Sequence, residues 1–310
     1  MKMPPFQEYL SAKKVIDDRS LNQLVWERLI ACLEEPGISS PFRILEAGAG
    51  IGSMLERMMG KDILPDNVEF TAIDSDPENI RFSLKNLPEW SKKLGWQSEQ
   101  IENGYLLFQK SRSIRVEFIQ MDVFEFLKSR KHAQRLDLVV ANAFLDLINV
   151  ADFLLNLYPI MNPECLLYFS INYDGLTIFE PEVDRILDEK ITGMFNASMD
   201  IHRAESNFRE GSRTGRHLLP RLRESGYEIL EAGSSDWVVF ARNQDYMPEE
   251  VVLIKAILSM VEKESTKSAD VDPGEFSSWL KTRQHQLNKG ELVYIAHQLD
   301  ILARWPGKVA

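Results

Sequence analysis

One stretch limits the folds open to this chain more than any other: Arg43-Ile44-Leu45-Glu46-Ala47-Gly48-Ala49-Gly50-Ile51-Gly52. Ile44 and Leu45 supply the apolar run of a buried central strand. Three glycines at alternate positions then remove Cβ atoms, which permits a sharp turn with positive φ and lets a ligand approach the backbone. From Ser53 onward, Met54, Leu55, Met58 and Met59 fall on one helical face. A strand that breaks into a glycine turn and opens a helix is the start of a nucleotide-type site. The spacing here is G-x-G-x-G. The dinucleotide fingerprint would need its third glycine at Ser53, so a nicotinamide cofactor is disfavoured.

Downstream, strand and helix patterns alternate. Residues 68–73 read as a second strand, ending on Asp74-Ser75-Asp76-Pro77, and residues 115–120 as a third, ending on Met121-Asp122-Val123. Residues 136–141 make a fourth, followed by Asn142-Ala143-Phe144-Leu145-Asp146, and residues 165–171 a fifth, followed by Asn172-Tyr173. This alternation argues for an α/β fold, a mostly parallel sheet with helices on both faces and ligands at the carboxyl ends of the strands. Glu46, Asp74, Asp122, Asn142 and Asn172 all stand at such ends. A carboxylate at Asp74 can accept the hydroxyls of a ribose; it can equally cap or turn the next helix. Asp122 can accept the exocyclic amine of an adenine, with Met121 and Val123 gripping the ring, and can also cap the helix that begins at Phe124. Residues 227–232 and 237–241, joined by Gly233-Ser234-Ser235-Asp236, read as the last two strands, seven in all.

The flanks read as helical. Residues 1–40 form an N-terminal helical arm, with Leu21, Leu24, Val25, Leu29 and Cys32 on one face. The main domain spans 41–245. Residues 85–114 are less regular, because Pro88 and Gly95 interrupt any long helix. Residues 173–211 form a lid-like insert with a short helix near 183–188. Residues 246–310 form a C-terminal helical extension, with Val251, Ile254, Leu258 and Val261 on one face and Leu292, Ile295, Ala296, Leu299 and Leu302 on another.

Composition narrows the partners. With 310 residues, 44% of them hydrophobic and 27% charged, the chain is an ordinary globular one, with no run long enough to span a membrane. A net charge of −11 lowers the expectation of a nucleic-acid partner. Cys32 and Cys165 lie far apart among apolar residues and read as core thiols. The N-terminus has no long apolar run, so a cytoplasmic location is expected. No His, Asp or Glu spacing suggests a metal site.

The motif residues resemble the class I S-adenosylmethionine-dependent methyltransferases. The resemblance rests on Glu46-Ala47-Gly48-Ala49-Gly50-Ile51-Gly52, Asp74, Asp122 and Ala141-Asn142-Ala143-Phe144, in the order of that family, and covers about residues 40–243. It implies a Rossmann-like sheet of strand order 3-2-1-4-5-7-6 with the seventh strand antiparallel. It also implies a cofactor site of Glu46, Gly48, Ala49, Gly50, Gly52, Asp74, Ser75, Asp122, Val123 and Asn142. In it Glu46 acts near the methionine amino group, Gly48 and Gly50 meet the methionine portion, Asp74 binds the ribose and Asp122 the adenine amine. Asn142 stands where the methyl group leaves. Ala143-Phe144 replaces the prolines of the Asn/Asp-Pro-Pro-Tyr/Phe pattern found in many amino-group nucleic-acid methyltransferases, which argues against base methylation.

The acceptor side is less legible. Asp146, Tyr173 and His202 are candidate catalytic residues, and Asn172, Tyr173 and Arg213 candidate substrate-binding residues; Asp146 can equally cap a helix, and His202 can lie on the surface. Between His202 and Arg223 stand six arginines (203, 209, 213, 216, 221 and 223) against two glutamates. Arginine's planar fork suits a carboxylate or phosphate, so Arg213 is a candidate for holding an anionic group, and a solvated helix face is the competing reading. The expectation is methyl transfer to oxygen or nitrogen of a small molecule. The rivals are a nucleic-acid methyltransferase and a catalytically silent cofactor-binding protein.

Overall fold

Two helices, α1 (Phe6–Ser20) and α2 (Gln23–Leu33), precede β1 (Phe42–Ala47), the strand that ends in the glycine turn. The turn leads to α3 (Ser53–Gly60), β2 (Asn67–Asp74) and α4 (Pro77–Lys93). A hairpin of β3 (Gln97–Ile101) and β4 (Gly104–Gln109) comes before β5 (Arg112–Gln120), α5 (Val123–Ser129), β6 (Leu136–Asn142), α6 (Val150–Leu157) and β7 (Met161–Glu180). The remaining elements are α7 (Arg185–Ala204), α8 (Thr214–Glu224), β8 (Glu228–Ser234), β9 (Trp237–Val239), α9 (Pro248–Ser265), α10 (Pro273–Lys289) and β10 (Val293–Arg304). This computed structural model describes residues 4–129, 135–204, 211–267 and 271–307.

The chain divides into two compact units. The sheet unit gathers residues 22–172, 216–233 and 300 onward; the second unit gathers residues up to 21, 173–215 and 234–299. Strands run in the order β3-β4-β5-β2-β1-β6-β7-β10-β8, with β9 pairing β10 off this path. β5, β2, β1, β6 and β7 are parallel neighbours, with Ile44 level with Phe70 on one side and Leu138 on the other. Without the β3–β4 hairpin, the path is the expected 3-2-1-4-5-7-6, β10 taking the seventh place and β8 the sixth.

Local chemistry places the helices around the sheet. Asn22 caps α2 by accepting from the Val25 N–H, and Asp76 caps α4 ahead of a proline in the first turn. Val25 and Leu29 of α2, Met54, Leu55 and Met58 of α3, and Ile80 and Leu87 of α4 join Ile44, Phe70, Val116 and Leu138 in one buried cluster. Leu45, Val139 and Phe169 alternate to the opposite face, where Phe153 of α6 packs on Phe169 at 6.3 Å between ring centres.

Three expectations are corrected. First, the irregular stretch 85–114 is ordered: α4 runs through Pro88, and a hairpin follows it. Proline cannot donate to the carbonyl four residues back, and that carbonyl, Leu84 O, instead accepts from the Tyr105 hydroxyl of β4 at 3.1 Å.

Second, residues 292–302 are not a helical stripe. They belong to β10, which stands between β7 and β8, so the segment 246–310 is not wholly helical and 237–241 is not the seventh strand. The buried residues alternate as Tyr294, Ala296, Gln298 and Asp300. Two of those four are polar, which hides the period of two. The boundary at 245/246 therefore falls between parts of one sheet, and that at 40/41 separates α2 from the strands it packs on.

Third, β7 continues to Glu180, and a 20-residue α7 replaces the short helix. Residues 173–211 and α1 fall in the same unit as α9 and α10. In that unit Arg19 of α1 pairs with buried Glu250 of α9 at 2.6 Å, and buried Arg283 of α10 pairs with Asp188 of α7.

Candidate functional site

The turn after β1 is held by its own backbone, by the β2 backbone, by one carboxylate and by one hydroxyl. Gly48, Gly50 and Gly52 have φ of +68°, +54° and +77°, values that a side chain would strain. Ala49 N–H donates to Ile73 O at 2.8 Å and Gly52 N–H to Ala49 O at 2.9 Å. Gly50 N–H donates to Asp74 Oδ2 at 2.8 Å. Ser83 Oγ donates to Gly50 O at 3.2 Å from the buried side of α4.

Glu46 closes the strand, 1% exposed. Its Oε2 has no hydrogen-bond partner. Burial pushes its carboxyl up to about 8; Arg57 pulls it down, Asp74 pushes it further up, and the Met54 N–H bond lowers it. A buried carboxyl with one oxygen unpartnered, beside a turn whose Gly48, Gly50 and Gly52 carry no Cβ, fits a ligand that brings an ammonium group to the end of β1.

Asp74 lies at the end of β2, next to exposed Ser75. Its Oδ1 accepts from the Asp76 N–H at 2.9 Å and the Asn79 amide at 3.2 Å. With Gly50 on Oδ2, three of about four acceptor sites are filled, so Asp74 orders the glycine turn and retains one acceptor position. Asp122, at the end of β5, is exposed. Its Oδ1 accepts from Phe124 N–H at 2.8 Å and Glu125 N–H at 3.2 Å, leaving Oδ2 for a donor such as an amine. Val123 is buried beside it.

At the end of β6, Asn142 Oδ1 accepts from Ser170 Oγ at 2.8 Å, and Ala143 N–H donates to Ser170 O at 2.9 Å. Ala143 takes a left-handed φ of +50°. Asp146 follows in a short 3-10 turn, Leu145–Leu147, and is half-buried. Asn172 is buried on β7, after Ile171, whose φ is +57° and whose N–H donates to buried Asp300 Oδ1 at 2.7 Å.

Glu46, the glycines, Asp74, Asp122, Asn142, Asp146 and Asn172 all lie in the sheet unit; Tyr173, His202 and Arg213 lie in the second. The Tyr173 hydroxyl bonds Thr177 at 2.8 Å and Asn196 at 2.7 Å, and burial pushes it up to about 12, too high for a base at neutral pH. Arg213 is exposed ahead of α8. His202 and Arg203 stand on α7 with side chains outside the described residues, and Arg209 lies outside them altogether.

Asn79 and Ser83 stand in this arrangement without having been expected there. Asn79 and Ser83 are polar, four residues apart on α4, and almost wholly buried. A polar pair on the inward face of an amphipathic helix is the signal that was available. Among the described residues no His, Cys, Asp and Glu group could hold a metal ion, and no helix is long and apolar enough to cross a membrane.

No family model and no curated protein matches this chain. Solved structures do match. A protein assigned as a type II methyltransferase from Anaeromyxobacter dehalogenans is 14% identical with a TM-score of 0.49, over 92% of this chain and 96% of that one. The cyclopropane synthase MmaA2 from Mycobacterium tuberculosis is 10% identical with a TM-score of 0.45, over 98% and 100%. The geranyl diphosphate C-methyltransferase from Streptomyces coelicolor, solved with S-adenosyl-L-homocysteine, is 11% identical with a TM-score of 0.40, over 90% and 74%. The class of fold, a doubly wound Rossmann-like sheet with its glycine turn after the first strand, stands on this chain's own strand order.

Proposed function

We propose that this chain is an S-adenosylmethionine-dependent methyltransferase acting on oxygen or nitrogen of a small molecule. The observation that carries the reading is the alignment of Glu46, Asp74 and Asp122 at the ends of three adjacent parallel strands, around a turn of three positive-φ glycines. Three acids so placed match an ammonium group, a ribose and an adenine amine in sequence. When bound, S-adenosylmethionine supplies a methyl group already made electrophilic by its sulfonium. The protein's part is to hold and align. Glu46 faces the amino group; Gly48 and Gly50 let the backbone meet the methionine portion. Asp74 takes a ribose hydroxyl on its remaining site, and Asp122 Oδ2 takes the adenine amine, with Val123 against the ring. Asn142, fixed by Ser170, stands beside the methyl group.

On the acceptor side, Asp146 and Asn172 share the unit that holds this site, and Asp146 is the candidate to receive a proton from an acceptor hydroxyl. Tyr173, whose hydroxyl is already bonded and hard to ionise, serves as a hydrogen-bond partner rather than a base. Arg213 is the candidate to hold an anionic acceptor group. The acidity of the chain supports a small-molecule acceptor over nucleic acid. Two free, buried thiols accord with a cytoplasmic location.

The test is an extract incubated with the protein and methyl-labelled S-adenosylmethionine, then separated by size. Label in the small-molecule fraction supports the reading. Label in nucleic acid would redirect it to the first rival. Cofactor binding with no transfer to any fraction would favour the silent protein.

A further inference from the structure

Phe144 covers the glycine turn. A Cβ built on Gly48 would stand 2.8 Å from Phe144 Cε2 and nearer still to Cγ and Cδ2, so the ring lies directly on the face that the missing side chain leaves open. The ring is aimed there by its backbone. Ala143, just before it, is held left-handed by the Ser170 carbonyl, while Ser170 Oγ holds Asn142. A non-glycine residue in that region is strained, and such strain persists where surrounding bonds impose it. The Phe144 carbonyl also accepts from Leu147 N–H at 2.9 Å, which fixes the chain on the other side. The side chain itself is only half-buried, and a phenyl ring has no polar atom to tether it. Rotation about its two side-chain bonds is the motion that would uncover Gly48.

We propose that Phe144 gates the cofactor site: its ring, which lies on Gly48, swings aside to admit the methionine end of S-adenosylmethionine. The proposal rests on the cofactor reading above. A ligand that binds only the open form sees its affinity lowered by the fraction of molecules that are open. Removing the ring makes every molecule open.

Calorimetric titration with S-adenosylhomocysteine of wild type, Phe144→Ala and Phe144→Leu tests this. The expected result is about tenfold tighter binding by Phe144→Ala, with Phe144→Leu in between. Equal or weaker binding by both variants overturns the gate and leaves the cofactor reading standing. No binding by any of the three overturns both. A ligand-free measurement checks the contact itself: Gly48→Ala is placed in wild type and in Phe144→Ala, and thermal unfolding is followed. The loss in Tm is expected to be larger in wild type, where the new Cβ meets the ring. Equal losses would remove the contact on which the gate depends.

Discussion

Glu46 concentrates the physical chemistry of the site in one side chain. It is buried, has an oxygen without a partner, and its pKa lies near 8 rather than 4.5. A carboxyl raised in the folded state favours folding below its unfolded value, and that contribution is lost as pH rises through the folded value. Wild-type stability is therefore expected to fall between pH 4.5 and about 8, each pH unit removing at most about 1.4 kcal/mol. Glu46→Gln cannot ionise, so its Tm should exceed that of wild type at pH 8 and converge with it toward pH 5. Parallel Tm profiles for the two proteins would refute the assignment. At the neighbouring strand end, Asp122→Ala should lose a helix cap, about 1 kcal/mol by denaturant unfolding, together with affinity for S-adenosylhomocysteine by calorimetry. Loss of the cap with unchanged affinity would restrict Asp122 to capping. The acids were legible in the sequence because each ends an apolar run. Their supports were not: Ser83 reaches Gly50, 33 residues earlier in the chain, only through the fold, and Asn79 reaches Asp74 from the first turn of the next helix, where an amide reads as an ordinary helix residue.

The five central strands were legible for the same reason, an apolar run closed by Glu, Asp or Asn. The β3–β4 hairpin was not, because β3 is Gln-Ser-Glu-Gln-Ile and wholly solvent-facing apart from its last residue. Nor was β10, whose inward positions include Gln298 and Asp300. Asp300 is buried because it accepts from Ile171 N–H and Asn22 N–H, groups brought beside it by distant parts of the chain. The passage of α4 through Pro88 depends in the same way on a remote partner, the Tyr105 hydroxyl. Tyr105→Phe leaves Leu84 O without that donor and should cost about 1 kcal/mol in denaturant unfolding, with no change in the slope of the transition. A change below about 0.3 kcal/mol would mean that water replaces the hydroxyl. In the second unit, Asp188→Ala strands the guanidinium of Arg283, which is fully buried and also donates to Pro181 O and Gln286 Oε1. Loss of roughly 3–5 kcal/mol is expected, and a loss under 1 kcal/mol would show that those other bonds suffice.

The two units are interleaved along the chain, so no single cut separates them: the sheet unit needs residues beyond 299, and the second unit needs residues before 22. A fragment of residues 41–245, the domain that sequence patterning alone would choose, lacks α2 and β10. It should give no cooperative thermal transition and no near-ultraviolet circular dichroism, whereas the full chain gives both. A folded fragment would mean that β10 is dispensable to the sheet. The acids and glycines proposed to hold the cofactor, by contrast, all sit within residues 46–122 of one unit, which is why sequence spacing could find them. The most direct measurement is a calorimetric titration of the full chain with S-adenosylhomocysteine, run beside NAD. Saturable binding of S-adenosylhomocysteine at one site per chain, weakened by Asp74→Ala and absent for NAD, is the predicted result. Binding of NAD in its place, or of neither, would contradict the reading of the glycine turn as an S-adenosylmethionine site.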